Sequence, residues 1–120
     1  MKKLRKTNAT LLQLIETMRS KGYSEGVPLW VALSKRLSKP SRRMSEVNIS
    51  TLNRYASENE IAVVPGKVLG SGELDHKVTV AAFKFTESAR RKIEENGKAL
   101  TLNELMEQNP TGSNVRIIGG

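Results

Sequence analysis

Apolar residues spaced three and four apart dominate the first half of the chain. Leu11, Leu14, Ile15 and Met18 would share one buried helical face, with Asn8 placed to cap its start and Gly22 its end. Pro28 suits the first position of a second helix, which Pro40 would stop. Its inner stripe is Trp30, Leu33 and Leu37, with Lys35, Arg36 and Lys39 outside. On so leucine-rich a face Trp30 reads as core rather than as a stacking platform. A third helix is predicted after Asn48, stapled by Val47 and Leu52. It would turn Ile49, Leu52, Tyr55 and Ala56 inward and Arg54 outward, and close at Glu58-Asn59-Glu60.

The period changes at Ile61. Val63-Val64 and Lys67-Val68-Leu69 predict two short buried strands about a Pro65-Gly66 corner, ending on Gly70 and Gly72. Val78–Phe85 is apolar on both alternating faces, as in a strand covered on both sides. Thr86 would cap a helix with Ala89 and Ile93 inward and Arg90, Arg91 and Lys92 outward, terminated by Asn96-Gly97. Thr101 and Glu104 form a capping box, with Leu100 and Leu105 as its staple, for a helix ending at Asn109-Pro110. Val115–Ile118 is the last strand. This alternation of strand and helix predicts an α/β fold with three N-terminal helices set against or around a small sheet.

Composition narrows the chemistry. With 120 residues, 38% of them apolar and few aromatic, the chain suits one domain with a core of Leu, Ile and Val. It has no cysteine, so disulfides and thiolate metal sites are excluded. No apolar run approaches a membrane span and no signal peptide opens the chain, which makes a cytoplasmic protein the default.

The net charge of +8 is unevenly placed. Residues 1–43 hold eleven Lys and Arg against Glu16 and Glu25, whereas residues 44–120 hold nine basic and ten acidic residues. A field with a direction points to a polyanionic partner. Met1–Lys6 reads as a basic arm, disordered alone and ordered on a polyanion, although a solubilising tail fits those six residues equally well. Lys39-Pro40-Ser41-Arg42-Arg43 is a stiff basic loop whose guanidinium forks suit phosphates.

Catalytic and cofactor motifs fail on spacing. Gly66–Gly72 lacks the Gly-Lys-Ser/Thr of a nucleotide loop, and Asp75 stands where a dinucleotide fingerprint needs its third glycine. His76 is the only histidine, with no second metal ligand at suitable spacing, and reads as a loop residue. Scarce aromatics argue against base stacking and for contact with phosphates and sugar edges of folded nucleic acid. The glycines serve either that close approach or packing alone.

Lys67-Val68-Leu69-Gly70-Ser71-Gly72-Glu73-Leu74, with Val78, Val80, Phe85-Thr86, Ala89, Ile93 and Gly97, resembles the signature segment of ribosomal protein family L-fifteen / L-eighteen-e. Thr7-Asn8, Trp30, Lys39-Pro40, Glu46-Val47-Asn48-Ile49, Arg54-Tyr55, Val63–Gly66 and Asn109-Pro110-x-Gly112-Ser113 resemble the L-eighteen-e branch, and the short length looks archaeal. Ala9 stands where the family usually has proline, and Ser41 shifts the arginine pair by one residue.

The resemblance implies a basic arm at 1–6 and a single domain over 7–118, with short strand–strand–helix units wound as an irregular superhelix and N-terminal helices packed against a small sheet. It implies a structural constituent of the large ribosomal subunit, partnered by large-subunit ribosomal RNA and neighbouring ribosomal proteins. No catalysis, cofactor, membrane or small-molecule substrate is implied. The alternative is a non-ribosomal RNA-binding or protein-interaction module. Candidate RNA contacts are Lys2, Lys3, Arg5 and Lys6 on the arm, Lys39, Arg42 and Arg43 in the stiff loop, and Arg54 on the third helix. Lys67, Gly70 and Gly72 at the glycine stretch and Arg116 in the last strand complete the set.

Overall fold

The structure, a computed structural model, describes residues 2–38 and 45–119, with residues 2–9 as backbone only. The chain divides into two compact units, Met1–Arg42 and Arg43–Gly120. The stiff loop, with Lys39, Pro40, Arg42 and Arg43, lies outside the described residues.

Helices α1 (Lys2–Glu25) and α2 (Pro28–Leu37) form the first unit as a helical hairpin. Leu14, Ile15 and Met18 are buried on α1, and Trp30, Leu33 and Leu37 on α2, as their spacing predicts. The ends of α1 differ from the reading of the sequence. The helix runs back through Asn8 to Lys2, so Asn8 is not its cap, and it passes through Gly22. A Cβ at Gly22 would stand 2.6 Å from Val31 Cγ2, so glycine is there to let α2 approach. Termination comes at Gly26, whose φ of +68° is left-handed, with the Val27 N–H bonding back to the Gly22 carbonyl at 2.9 Å. Two glycines four residues apart are both plausible stops, and only the neighbouring helix decides between them.

The second unit contains β1 (Ser45–Asn48), α3 (Ile49–Tyr55), β2 (Ile61–Leu69), β3 (Thr79–Phe85), α4 (Glu87–Glu94), β4 (Lys98–Thr101), α5 (Leu102–Gln108) and β5 (Val115–Ile117). Every described strand pair is parallel. The order is β1-β2-β3-β4, and β5 also pairs with β2. This is an α/β fold on a small parallel sheet.

The predicted Pro65-Gly66 corner is absent, because β2 runs straight through it as one strand. One edge of β2 is shared, since β5 pairs with Ile61–Val63 and β1 with Gly66–Leu69. Pro65 falls in the gap between these partners, and the register against β3 shifts between Val64 and Lys67. A residue without an N–H is tolerated at such an irregularity, whereas mid-ladder it would forfeit a hydrogen bond. Strands β1 and β4 were not foreseen. Each has four residues, the last of them a helix N-cap, too few to display a period.

Val47, Ile49, Leu52, Ala62, Val64, Val68, Val80, Ala82, Ala89 and Ile93 belong to one buried cluster between the sheet and helices α3 and α4. On the other face the cross-strand row Val63, Ala81 and Leu100 is buried, as are Leu102, Leu105 and Met106 of α5. Tyr55, expected inward, is exposed. Helix α3 is so short that the chain leaves at Ala56, which takes the buried place.

Candidate nucleic-acid interface

The nine-residue span between β2 and β3 carries the glycines and sets the local architecture. It runs along α3 from one end to the other. The Ser71 carbonyl accepts the Ser50 N–H at 3.0 Å, satisfying a donor in the first turn of α3. Midway, the Asn53 side-chain oxygen accepts the Asp75 N–H at 3.0 Å. At the far end His76 Nε2 lies 2.8 Å from the carbonyl of Ala56, the C-cap of α3. From the adjacent helix α4, the Lys92 ammonium donates to the carbonyls of Gly70 at 2.8 Å and Gly72 at 2.7 Å. Lys92 therefore points inward, where the sequence pattern placed it outward.

Packing requires both glycines. A Cβ at Gly70 would overlap the Ser88 hydroxyl. At Gly72 it would stand 2.6 Å from the Ser50 backbone nitrogen, and φ there is +108°. Their carbonyls face Lys92, so this part of the loop is occupied by the protein itself.

His76 is a loop residue, as expected, but an engaged one. Its Nδ1 is 2.9 Å from Asp75 Oδ1, so both ring nitrogens face acceptors. The hydrogen bond to Asp75, and then the one to the Ala56 carbonyl, raise its pKa above the ordinary histidine value. The His76 hydrogen bond, followed by that of Asn53, lowers the Asp75 carboxyl. Among the described residues no three His, Asp or Glu side chains stand together as a metal site.

The structure scatters the candidate cations. The backbones of Lys2, Lys3, Arg5 and Lys6 lie in the first turns of α1. Arg54 is exposed at the end of α3, with its guanidinium 5.9 Å from the Tyr55 ring centroid. Arg116 is exposed on β5 and pairs with Glu60 at 3.3 Å. Lys67 sits near the C-terminal end of β2, and its paired residues are Glu46 on β1 and Lys84 on β3.

Lys84 escaped the sequence reading. Its signal was its place in the apolar run Val78–Phe85, but only strand register shows that it stands beside Lys67. Its ammonium is 5.9 Å from the Phe83 centroid, and Arg90 lies 5.3 Å from that of Phe85. A cation thus stands near each of the two phenylalanine rings, which favours phosphate contact over base stacking. At the opposite end of the sheet, an open groove of about 460 Å³ is lined by Glu58, Glu60, Lys98 and Asn109 among others. Its mixed charge offers no uniform field to a polyanion.

Residues 31–120 match the family described as "Ribosomal protein 60S L18 and 50S L18e". The chain is 47% identical over 118 residues to the large ribosomal subunit protein eL18 of Methanothermobacter thermautotrophicus, covering 98% of each. It is 48% identical over 113 residues to the eL18 of Haloarcula marismortui, covering 94% of this chain and 97% of that one. With the eL18 of Archaeoglobus fulgidus it shares 44% identity over 116 residues, covering 96% and 99%. The signature stretch read from the sequence is the segment that here binds α3 to α4, and with a match over three quarters of its length the chain belongs to the ribosomal protein family of 60S L18 and 50S L18e.

Proposed function

We propose that this protein is a structural constituent of the large ribosomal subunit that binds and stabilises large-subunit ribosomal RNA, and through it serves subunit assembly and translation. The observation that carries this reading is the 47% identity, over 98% of both chains, to a protein named for that subunit. The basic first third and the paucity of aromatics support it, since both suit phosphate contact. Its place is then the cytoplasmic particle, beside other large-subunit proteins, with a structural and not a catalytic role.

The basic stretch 1–6 precedes a functional domain over 7–118, and Lys2, Lys3, Arg5, Lys6, Lys39, Arg42, Arg43, Arg54, Lys67 and Arg116 supply the RNA contacts. Gly70 and Gly72 contribute by shaping the backbone beside Lys67. The test is sedimentation of a lysate at physiological salt, tracking the protein with an antibody. It is expected to comigrate with the large subunit and to remain there through a moderate salt wash. Recovery only in the slow-sedimenting fractions would refute the ribosomal role and favour a free-standing interaction module.

A further inference from the structure

Lys67 and Lys84 are direct partners on adjacent strands. Like charges so placed repel, and natural sheets avoid the arrangement. Glu46, across from Lys67 on β1, offsets one of the two charges. Of the other described cations on strands and α4, Lys92 is held on two carbonyls, Arg116 on Glu60 and Arg90 beside Glu94 at 3.7 Å, whereas Arg91 on α4 and Lys98 at the N-terminal end of β4 are exposed. Among the described residues the Lys67 side chain makes neither a hydrogen bond nor an ion pair, and the Lys84 side chain has only the ring of Phe83.

Both side chains project from the same face. Residues paired directly across adjacent strands share a face of the sheet, and Lys67 is the partner of Lys84. Lys67 and Lys84 also stand at the C-terminal ends of parallel strands, where open α/β sheets hold their ligands. Neighbouring strands are about 4.8 Å apart, so two flexible four-carbon stems reach a single phosphate.

We propose that Lys67 and Lys84 form a paired-lysine site that grips the phosphodiester backbone of folded RNA at the C-terminal ends of β2 and β3. The proposal rests on the ribosomal reading above and names the partner chemistry of one part of the surface. Bound phosphate relieves the repulsion between the two ammonium groups. Recognition is indifferent to base sequence, because a phosphate contact carries no sequence information.

The test uses the full chain and large-subunit ribosomal RNA, with affinity measured across a salt series. K67Q and K84Q should each flatten the logarithmic salt dependence, and the double variant should flatten it by about 0.7–0.9, the share of one phosphate contact. Lysine acetylation of the unaltered protein, read by mass spectrometry with and without RNA, gives an answer independent of variant folding. Both lysines should be protected several-fold by naked RNA. Undiminished reactivity in an RNA complex that does form would overturn the site and leave the ribosomal reading intact. Protection only in whole subunits would overturn the RNA assignment in favour of an acidic protein neighbour. No binding of RNA by the unaltered protein would overturn both readings.

Discussion

At His76 an acceptor stands at each ring nitrogen, the Ala56 carbonyl at Nε2 and the Asp75 carboxylate at Nδ1. A neutral imidazole carries one proton and satisfies only one of them, whereas the imidazolium satisfies both. Folding therefore favours the charged ring, and the His76 pKa is raised. The stabilisation is fully present below the unfolded value of about 6.5 and is lost as pH rises through the folded value. Asp75 moves the other way, so its share is present above about 3.9 and is lost as pH falls through its lowered folded value. The latch on the end of α3 is thus firmest in mildly acidic solution. As His76 is the sole histidine, an NMR titration of its ring is unambiguous. It should show a midpoint above 6.5, with amide protection around Asp75, relative to the intrinsic exchange rate at each pH, greater at pH 5.5 than at pH 8. A midpoint at or below 6.5 would refute the double hydrogen bond.

At the level of elements, the span between β2 and β3 is unusual for a parallel crossover because it contains no helix. It is ordered instead by contacts to α3 along its length and to α4 at its start. Lys92 is central, since its ammonium meets two carbonyls that otherwise have no described partner. Lys92→Met keeps the aliphatic stem and removes the donor, and is expected to cost about 1–3 kcal/mol. For a chain of this size that lowers Tm by several degrees. An unchanged melting curve would show that the loop holds without this clamp.

Caps at the other elements were legible in advance because they depend on neighbours in sequence. Thr86 accepts the Ala89 N–H at 3.2 Å, and Thr101 and Glu104 form both bonds of their capping box, at 3.1 and 2.8 Å. Asn48 holds the N-cap position of α3, yet its side chain makes no capping bond. There the loop carbonyl of Ser71 serves the Ser50 donor instead.

Across the whole molecule, charge and core are divided unevenly between the two compact units. The unit Arg43–Gly120 has its own continuous core and balanced charge, whereas the excess of cations lies in residues 1–42. A fragment beginning at Arg43 is therefore expected to unfold cooperatively by itself. It should bind ribosomal RNA with a much shallower salt dependence than the full chain. Equal slopes for the two would place the main phosphate contacts on the sheet unit.

Sequence by itself determined what is local or periodic. Helical faces were set by spacing, caps by residues three apart, the polyanion preference by charge count, and family by the stretch from Lys67 to Gly97. Tertiary structure alone decided which glycine ends α1, that Pro65-Gly66 lies within one strand, and that Lys92 turns inward. It also placed Lys84 beside Lys67. Each of these depends on a partner distant in the chain: a helix face, a split strand edge, a pair of carbonyls or a strand register. Such contacts leave no period in the residues that make them, so they become visible only when the chain has folded.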